Sequence, residues 1–221
     1  MNGVLSNSLV IYGAGGHAIG VANVAWAAGY RVHAFIDAGK AGASLHDIPI
    51  LASVDQLPDW RAHVYALGVG DNAIREKEHR QLVEHHPGMV FPALIHPTAV
   101  ISWKTTVGEG SVLMANAVAG TNSRVGRFCV MSIQSAMGHD CLMEDYSSMA
   151  PSSVVAGDVI IGQRAAVCMA AAVKQGVAIG ADAVLGAKSY LNRPLPANTV
   201  AFGAPAREVR SRQMGDPYLS K

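Results

Sequence analysis

A six-residue period runs through the C-terminal part of this chain and limits its possible folds more than any other feature. Stepping by six from Ile101 gives Ile101, Val107, Leu113, Ala119, Val125, Met131, Met137, Met143, Met149, Val155, Ile161, Val167, Val173, Ile179, Leu185 and Leu191. All but Ala119 are large and aliphatic or Met. The column four residues further on, from Thr105 through Cys129 and Cys141 to Ser189, is small throughout. Glycine directly follows the large residue at 108, 120, 126, 138, 162, 180 and 186. Two locked columns of this kind describe a parallel β-solenoid of triangular cross-section. Each hexapeptide supplies one flat face and one corner, with the large residue filling the triangle. The small residue fits where the chain bends inward, and glycine is expected to tolerate the backbone angles of the corner. Three hexapeptides make one coil, so the run gives about five coils, each needing its neighbours to bury its faces.

The first ninety or so residues have a different rhythm. "SLVIYGAGG" reads as an apolar strand entering a glycine turn, "HAIGVANVAWAAG" as a helix ended by Gly29, and "RVHAFIDA" and "HVYALGVGD" as two further strands. "NAIREKEHRQLVEHH" reads as a polar, charge-rich helix. Strands alternating with helices predict a small Rossmann-like α/β domain with a parallel sheet. The expected organisation is therefore an α/β domain over residues 1–95 and an all-β parallel β-helix with a C-terminal closing segment over 96–221. Gly13, Gly15 and Ala18 form a G-x-G-x-x-A match, consistent with a loop and helix N-terminus that face phosphates or with a plain tight turn. Asp37 ends the second strand where a ribose-binding acid would lie. Too few residues precede the solenoid for both halves of a dinucleotide fold, so a mononucleotide or sugar nucleotide fits better than NAD.

Composition narrows the function classes. Charged residues make up 15% of the chain and the formal net charge is +1, so no basic patch or arginine run suggests nucleic acid. No apolar stretch is long enough for a membrane helix, and no secretory signal is expected. The three cysteines, Cys129, Cys141 and Cys168, lack metal-ligand spacing, which reads as a reduced, cytoplasmic protein.

Within "SAMGHDCLME", His139 falls two places after a large-column residue, at a corner, and so should point outward. Asp140 adjoins it, and a carboxylate beside an imidazole is the usual support of a general base. Cys141 falls in the small inward column and reads as a small hydrophobe, not an acyl carrier.

These stretches together resemble the hexapeptide-repeat acyltransferases, and in particular the branch with an N-terminal Rossmann-like domain. That branch includes the nucleotide-linked amino-sugar N-acetyltransferases and the sialic acid O-acetyltransferase-like proteins. "VIYGAGGHA", "FIDA", "GVGDNAIR", "LIHPTAVIS", "GHDC", "APSSVVAGDVIIG" and "FGAPAREVR" carry the resemblance, which spans nearly all of the chain. It implies a left-handed solenoid and a homotrimer that uses acetyl-CoA to acetylate an amino sugar. His139 is implied as catalytic base, supported by Asp140, with the Gly157 N–H holding the thioester carbonyl. Ala156, Gly186 and Ala187 would lie along the pantetheine arm and Pro205 near the adenine. Gly15, Gly16, His17, Asp37, Gly70 and Asn72 would receive the sugar nucleotide. No metal is implied, since His139 is the solenoid's only histidine beyond His96. The chain departs from the family where Asn often precedes the histidine by seven residues, here Ser132, and where a second His often follows by nine, here Ser148. A sugar O-acetyltransferase with the same machinery, or a solenoid that binds without catalysis, are the alternatives.

Overall fold

The structure is a computed structural model that describes residues 7–219. The N-terminal domain is built on β1 (Ser8–Tyr12), α1 (Gly16–Ala27), β2 (Arg31–Ile36), β3 (Ser44–Leu45), β4 (Ile48–Leu51), β5 (Val64–Leu67) and α2 (Asn72–His85). Its sheet has the order β3-β4-β2-β1-β5. β1 pairs in parallel with β2 on one side and β5 on the other, as the strand–helix alternation predicts. The hairpin β3–β4 is not anticipated from the sequence. Its two turn residues, His46 and Asp47, both have positive φ (51° and 62°), as a type I′ turn requires. Neither residue is one of the Gly or Asn signals by which such turns are normally read.

The solenoid follows as two-residue strands at a strict spacing of six, from Val100–Ile101 to Tyr190–Leu191. They form three parallel sheets, the faces of a left-handed prism. Successive coils are 18 residues apart, Val118 pairing with Ala136 and Arg124 with Leu142. The first face holds the strands beginning at Val100, Val118, Ala136, Val154, Ala172 and Tyr190; the second those at Thr106, Arg124, Leu142, Ile160 and Ala178. The third holds those at Val112, Val130, Ser148, Ala166 and Val184, and is extended by Leu94–Ile95 below and by the hairpin Thr199–Gly203/Ala206–Ser211 above. The large column fills the prism, with the four central methionines at 131, 137, 143 and 149 buried. The small column is buried with it, and its serines remain satisfied: Ser111, Ser147 and Ser153 donate to the carbonyls of Gly126, Glu144 and Ala150.

The role expected for the corner glycines needs correction. Positive φ falls two residues after each of them, on Asn122, Phe128, Asp140, Arg164 and their equivalents. The glycines are required by close approach instead. A Cβ on Gly120 would lie 2.3 Å from the Gly138 carbonyl oxygen in the next coil.

The N-terminal domain packs on the third face and on the edge between the second and third faces. α1 is wedged between its own sheet and Val112, Met114 and Val130, which explains its small buried residues Ala18, Ala22 and Ala25. On the other side of the sheet, Phe91, Phe128 and Tyr146 share one cluster with β1 and α2. The charge-rich α2 does not face solvent all round. Arg75 is 1% exposed and donates to the carbonyls of Phe128, Val69, Gly70 and Tyr146, at 2.8–3.1 Å, and to Asn72 Oδ1 at 2.7 Å. Arg164 bridges Glu76 of α2 and Asp182, both at 2.7 Å.

Two half-buried histidines at this interface favour the neutral form. His79 stacks 3.8 Å from Phe128 and meets the Tyr146 hydroxyl at 2.8 Å. Burial, with Arg127 nearby, pushes its pKa down to about 4. Burial, with Arg75, pushes His17 down to about 4 as well. An unfolded chain binds these protons near pH 6.5, so stability should be fully present above that pH and fall as pH drops toward 4. Urea midpoints measured from pH 7.5 to 4.5 check this; His79→Phe should flatten the slope between pH 6.5 and 4.5.

Candidate active site

His139 stands on the edge between the first and second faces. Its imidazole points out of the prism, with 60% of the side chain exposed. Nδ1 lies 2.7 Å from Asp140 Oδ2. A carboxylate only accepts, so Nδ1 is the protonated nitrogen and Nε2 of the neutral ring carries the lone pair. Asp140 has positive φ (57°), which turns its side chain back beside the ring. The Asn122 amide donates to its other oxygen. That bond, and then His139, hold the Asp140 carboxyl below the usual carboxylate range. Asn122 is absent from the sequence-level assignment, although it lies one coil, 18 residues, below Asp140 and the repeat could have indicated it.

The Nε2 side of the ring lies over Gly157. A Cβ there would come within 2.5 Å of His139 Cε1 and Nε2, so only glycine fits beneath the imidazole. Ala156 and Asp158 donate to the Val173 and His139 carbonyls, which leaves the Gly157 N–H between the two ladder bonds. This edge therefore presents a base with a fixed tautomer beside a backbone donor, an arrangement suited to acyl transfer through a tetrahedral intermediate. Cys141 is buried, its thiol donating to the Ala156 carbonyl, and burial raises its pKa, consistent with the structural role read from its column.

Asn122→Ala should release the Asp140 carboxyl toward its ordinary pKa. Turnover is then expected to fall roughly tenfold, because the carboxylate that orients the His139 ring loses its own anchor. Asp140→Asn should lose at least as much activity. Unchanged turnover in both variants would remove this pair from the machinery.

The residues assigned to the sugar nucleotide gather at the carboxyl ends of β1, β2 and β5, where the N-termini of α1 and α2 converge beside the strand-order reversal. Gly15 is the N-cap of α1, with Gly16 and His17 in its first turn. Asp37 accepts from the Ala14 N–H at 3.2 Å and the Gly39 N–H at 3.1 Å, so its carboxylate shapes the glycine loop. Asn72 does not present its side chain to this crevice. It is 1% exposed, and its amide is spent on Ser148 Oγ and the Arg164 and Ala165 carbonyls at 3.0 Å.

A pocket of about 350 Å³ lies between the two domains, lined by His17, Gly70, Ser132, Ser148 and Ala187. The two departures from the family pattern thus share one cavity with residues assigned to both substrates. His139, Ala156 and Gly157 are not part of it. They stand on the first edge, whereas Ala187 and Gly186 stand on the edge between the third and first faces, with Pro205 at the hairpin tip above. One chain carries both halves of the expected site, but on different edges of the prism.

Comparison with known proteins is consistent with this geometry. The PglD N-terminal domain family matches residues 8–82. A perosamine N-acetyltransferase from Caulobacter crescentus, solved as a histidine-to-asparagine mutant in complex with CoA and GDP-perosamine, is 32% identical, with a TM-score of 0.87. The match covers 92% of this chain and 97% of that one. This chain belongs to the perosamine N-acetyltransferase family. The family's fold extends to the acetyltransferase domain of PglB from Neisseria gonorrhoeae FA1090, solved in complex with acetyl coenzyme A. It is 27% identical, with a TM-score of 0.86 over 92% of this chain and all of that one. The GDP-perosamine N-acetyltransferase of Escherichia coli O157:H7 is 28% identical over 182 residues, covering 80% of this chain and 81% of that protein. Like these relatives, the chain is an acetyltransferase.

Proposed function

We propose that this enzyme transfers acetyl from acetyl-CoA to the amino group of a nucleotide-linked amino-deoxy sugar. The observation that carries the reading is the first edge, where the lone pair of a tautomer-locked His139 faces the space over Gly157. The sugar amine attacks the thioester carbon as His139 Nε2 takes its proton. The Gly157 N–H stabilises the oxygen as it becomes negative, and the imidazolium returns the proton to the departing thiolate. Asp140 keeps Nδ1 protonated and the ring in place. Residues 1–95 receive the nucleotide and residues 96–221 carry the transfer, so holding both substrates together supplies much of the rate. GDP-perosamine, the ligand of the Caulobacter enzyme, is the first acceptor to test, beside UDP-linked and dTDP-linked 4-amino sugars. Free CoA should appear from acetyl-CoA only when an amino sugar is added, with the amide as product. Acetylation of a sugar hydroxyl, or no CoA release with any of the panel, would defeat the reading. Among the described residues no helix is long and apolar enough to cross a membrane.

The same proposal includes a homotrimer. With the third face covered, exposed apolar residues remain on the first face (Val100, Val154, Tyr190) and on the edge it shares with the third (Ile133, Met169). Three prisms with their first faces turned toward a common axis bury that surface in a closed ring. Each His139 edge then meets the neighbour's opposite edge, beside its Ala187 and the interdomain pocket. Co-refolding inactive His139→Ala with inactive Ala187→Trp should restore activity, because some grooves receive both intact halves. A monomeric mass, or no rescue in verified mixed trimers, would defeat the shared site.

A further inference from the structure

The C-terminal segment folds back onto the acceptor side of the molecule. Arg212 is buried and anchors it, donating to the Asp182 carbonyl at 2.6 Å and to the Asp216 carbonyl. A turn follows in which Gln213 N–H donates to Asp216 Oδ2 at 2.9 Å and Gly215 takes φ +89°, a conformation a side chain would oppose. The chain then lays Tyr218 on the third face against the Ala166–Val184–Val200 cluster, with the Arg212 guanidinium 5.6 Å from its ring centre. Leu219 comes to rest over Gly70 and the His17 ring: a Cβ on Gly70 would lie 3.4 Å from Leu219 Cδ1 and 3.6 Å from His17 Cγ. Both tail residues line the interdomain pocket together with His17, Gly70, Ser132 and Ser148.

The contact is loosely made: Tyr218 is half-buried and Leu219 is 57% exposed. Among the described residues, the buried side-chain nitrogens and oxygens without a hydrogen-bond partner are His17 Nε2, Arg212 Nε and the Tyr218 hydroxyl. All three belong to the tail or to the crevice beneath it. The Tyr218 hydroxyl lies close to Ser148 and the Asn72 backbone without closing a well-formed bond to either. Buried polar groups are normally satisfied, and a cluster of exceptions at one site calls for a physical reason. A contact that excludes water from His17 and offers it no partner is weaker than one with a ligand that brings hydroxyl or phosphate oxygens.

We infer that residues 214–219, hinged at the Arg212 anchor, are an internal plug of the acceptor pocket, which the sugar nucleotide displaces on binding. The inference rests on the acetyltransferase reading, since it assigns the pocket to the acceptor. The tail lays a half-buried Tyr218 and the tip of Leu219 along the pocket, and the acceptor competes for the same space. Binding is then weakened by the fraction of molecules in which the plug is closed. Acetyl-CoA, of whose assigned contacts only Ala187 lines this pocket, competes far less.

Two variants test it: a chain ending at Gln213, which keeps the Arg212 anchor, and full-length Tyr218→Ser/Leu219→Ser. Both should lower KM for GDP-perosamine about tenfold, the gain for a site open one time in ten, with kcat and KM for acetyl-CoA within twofold of wild type. In the wild-type protein, GDP-perosamine should speed amide hydrogen exchange over residues 214–219, and acetyl-CoA alone should not. If wild type turns over but the variants show an unchanged or raised acceptor KM, or if the sugar nucleotide slows exchange over residues 214–219, the plug is overturned and the enzyme assignment stands. If neither wild type nor the truncated chain binds or acetylates any amino-sugar nucleotide, both fall. Turnover by the truncated chain alone would support the plug most directly.

Discussion

Replacing His139 by alanine is expected to lower kcat by roughly 10²- to 10⁴-fold, the usual contribution of a positioned general base. The loss should fall on turnover and not on folding. The imidazole projects from a corner, and the coil beneath it is held by backbone bonds such as Asp158 N–H to the His139 carbonyl at 2.9 Å. Removing the side chain also uncovers Gly157 without creating a buried cavity. Melting temperature and KM for both substrates should therefore stay close to wild type. His139→Gln, which offers no proton acceptor of suitable basicity, should be as inactive as alanine. Steady-state kinetics at saturating acetyl-CoA, with calorimetric binding of each substrate, separates these terms. Activity within a few-fold of wild type would remove His139 from the mechanism.

The largest expected effect on stability comes from Arg75. Its guanidinium is buried without a carboxylate partner and is satisfied by main-chain carbonyls from the α2 loop and from the solenoid corner at Phe128 and Tyr146. Burial lowers its pKa. Arg75→Met keeps most of the volume but strips several buried carbonyls of their donor at once. Each unmade bond of this kind costs about 1–3 kcal/mol, so the loss is expected to be on the order of 3–5 kcal/mol. Arg75→Lys should recover only part of it, because an ammonium has three donors and no planar fork. Urea unfolding should show a lower midpoint, and with it a separate early transition of the N-terminal domain, which the arginine ties to the prism. Weakened acceptor binding should accompany the change, since Val69, Gly70 and Asn72 lose the group that sets their loop. A wild-type midpoint for Arg75→Met would show that water or neighbouring side chains replace the missing donors.

The solenoid and the outward histidine on its edge were legible in the residues because their causes are local and periodic. A coil repeats every 18 residues, so Met131, Met137 and Met143 declare an interior, and the offset of His139 from Met137 declares an outward corner. The α/β rhythm of the N-terminal domain and the crevice at Gly15 and Asp37 were legible for a similar reason: short apolar strands alternate with turn residues. Where the sequence reading failed, the cause was a contact between distant parts of the chain. Nothing in "NAIREKEHR" distinguishes the buried Arg75 and Asn72 from the exposed charges beside them, because their solenoid partners lie 53 to 93 residues away. The corner glycines looked like conformational devices, but their need comes from the next coil's backbone. The β3–β4 hairpin turns on His46 and Asp47, a pair outside the usual glycine-containing hairpin signatures. Likewise, the order of residues places His139 and the glycine loop in one protein without saying that the loop's domain stands away from the His139 edge of the prism. That separation follows from which face the first domain covers, and this is decided by side-chain packing on Val112, Met114 and Val130, not by any repeat.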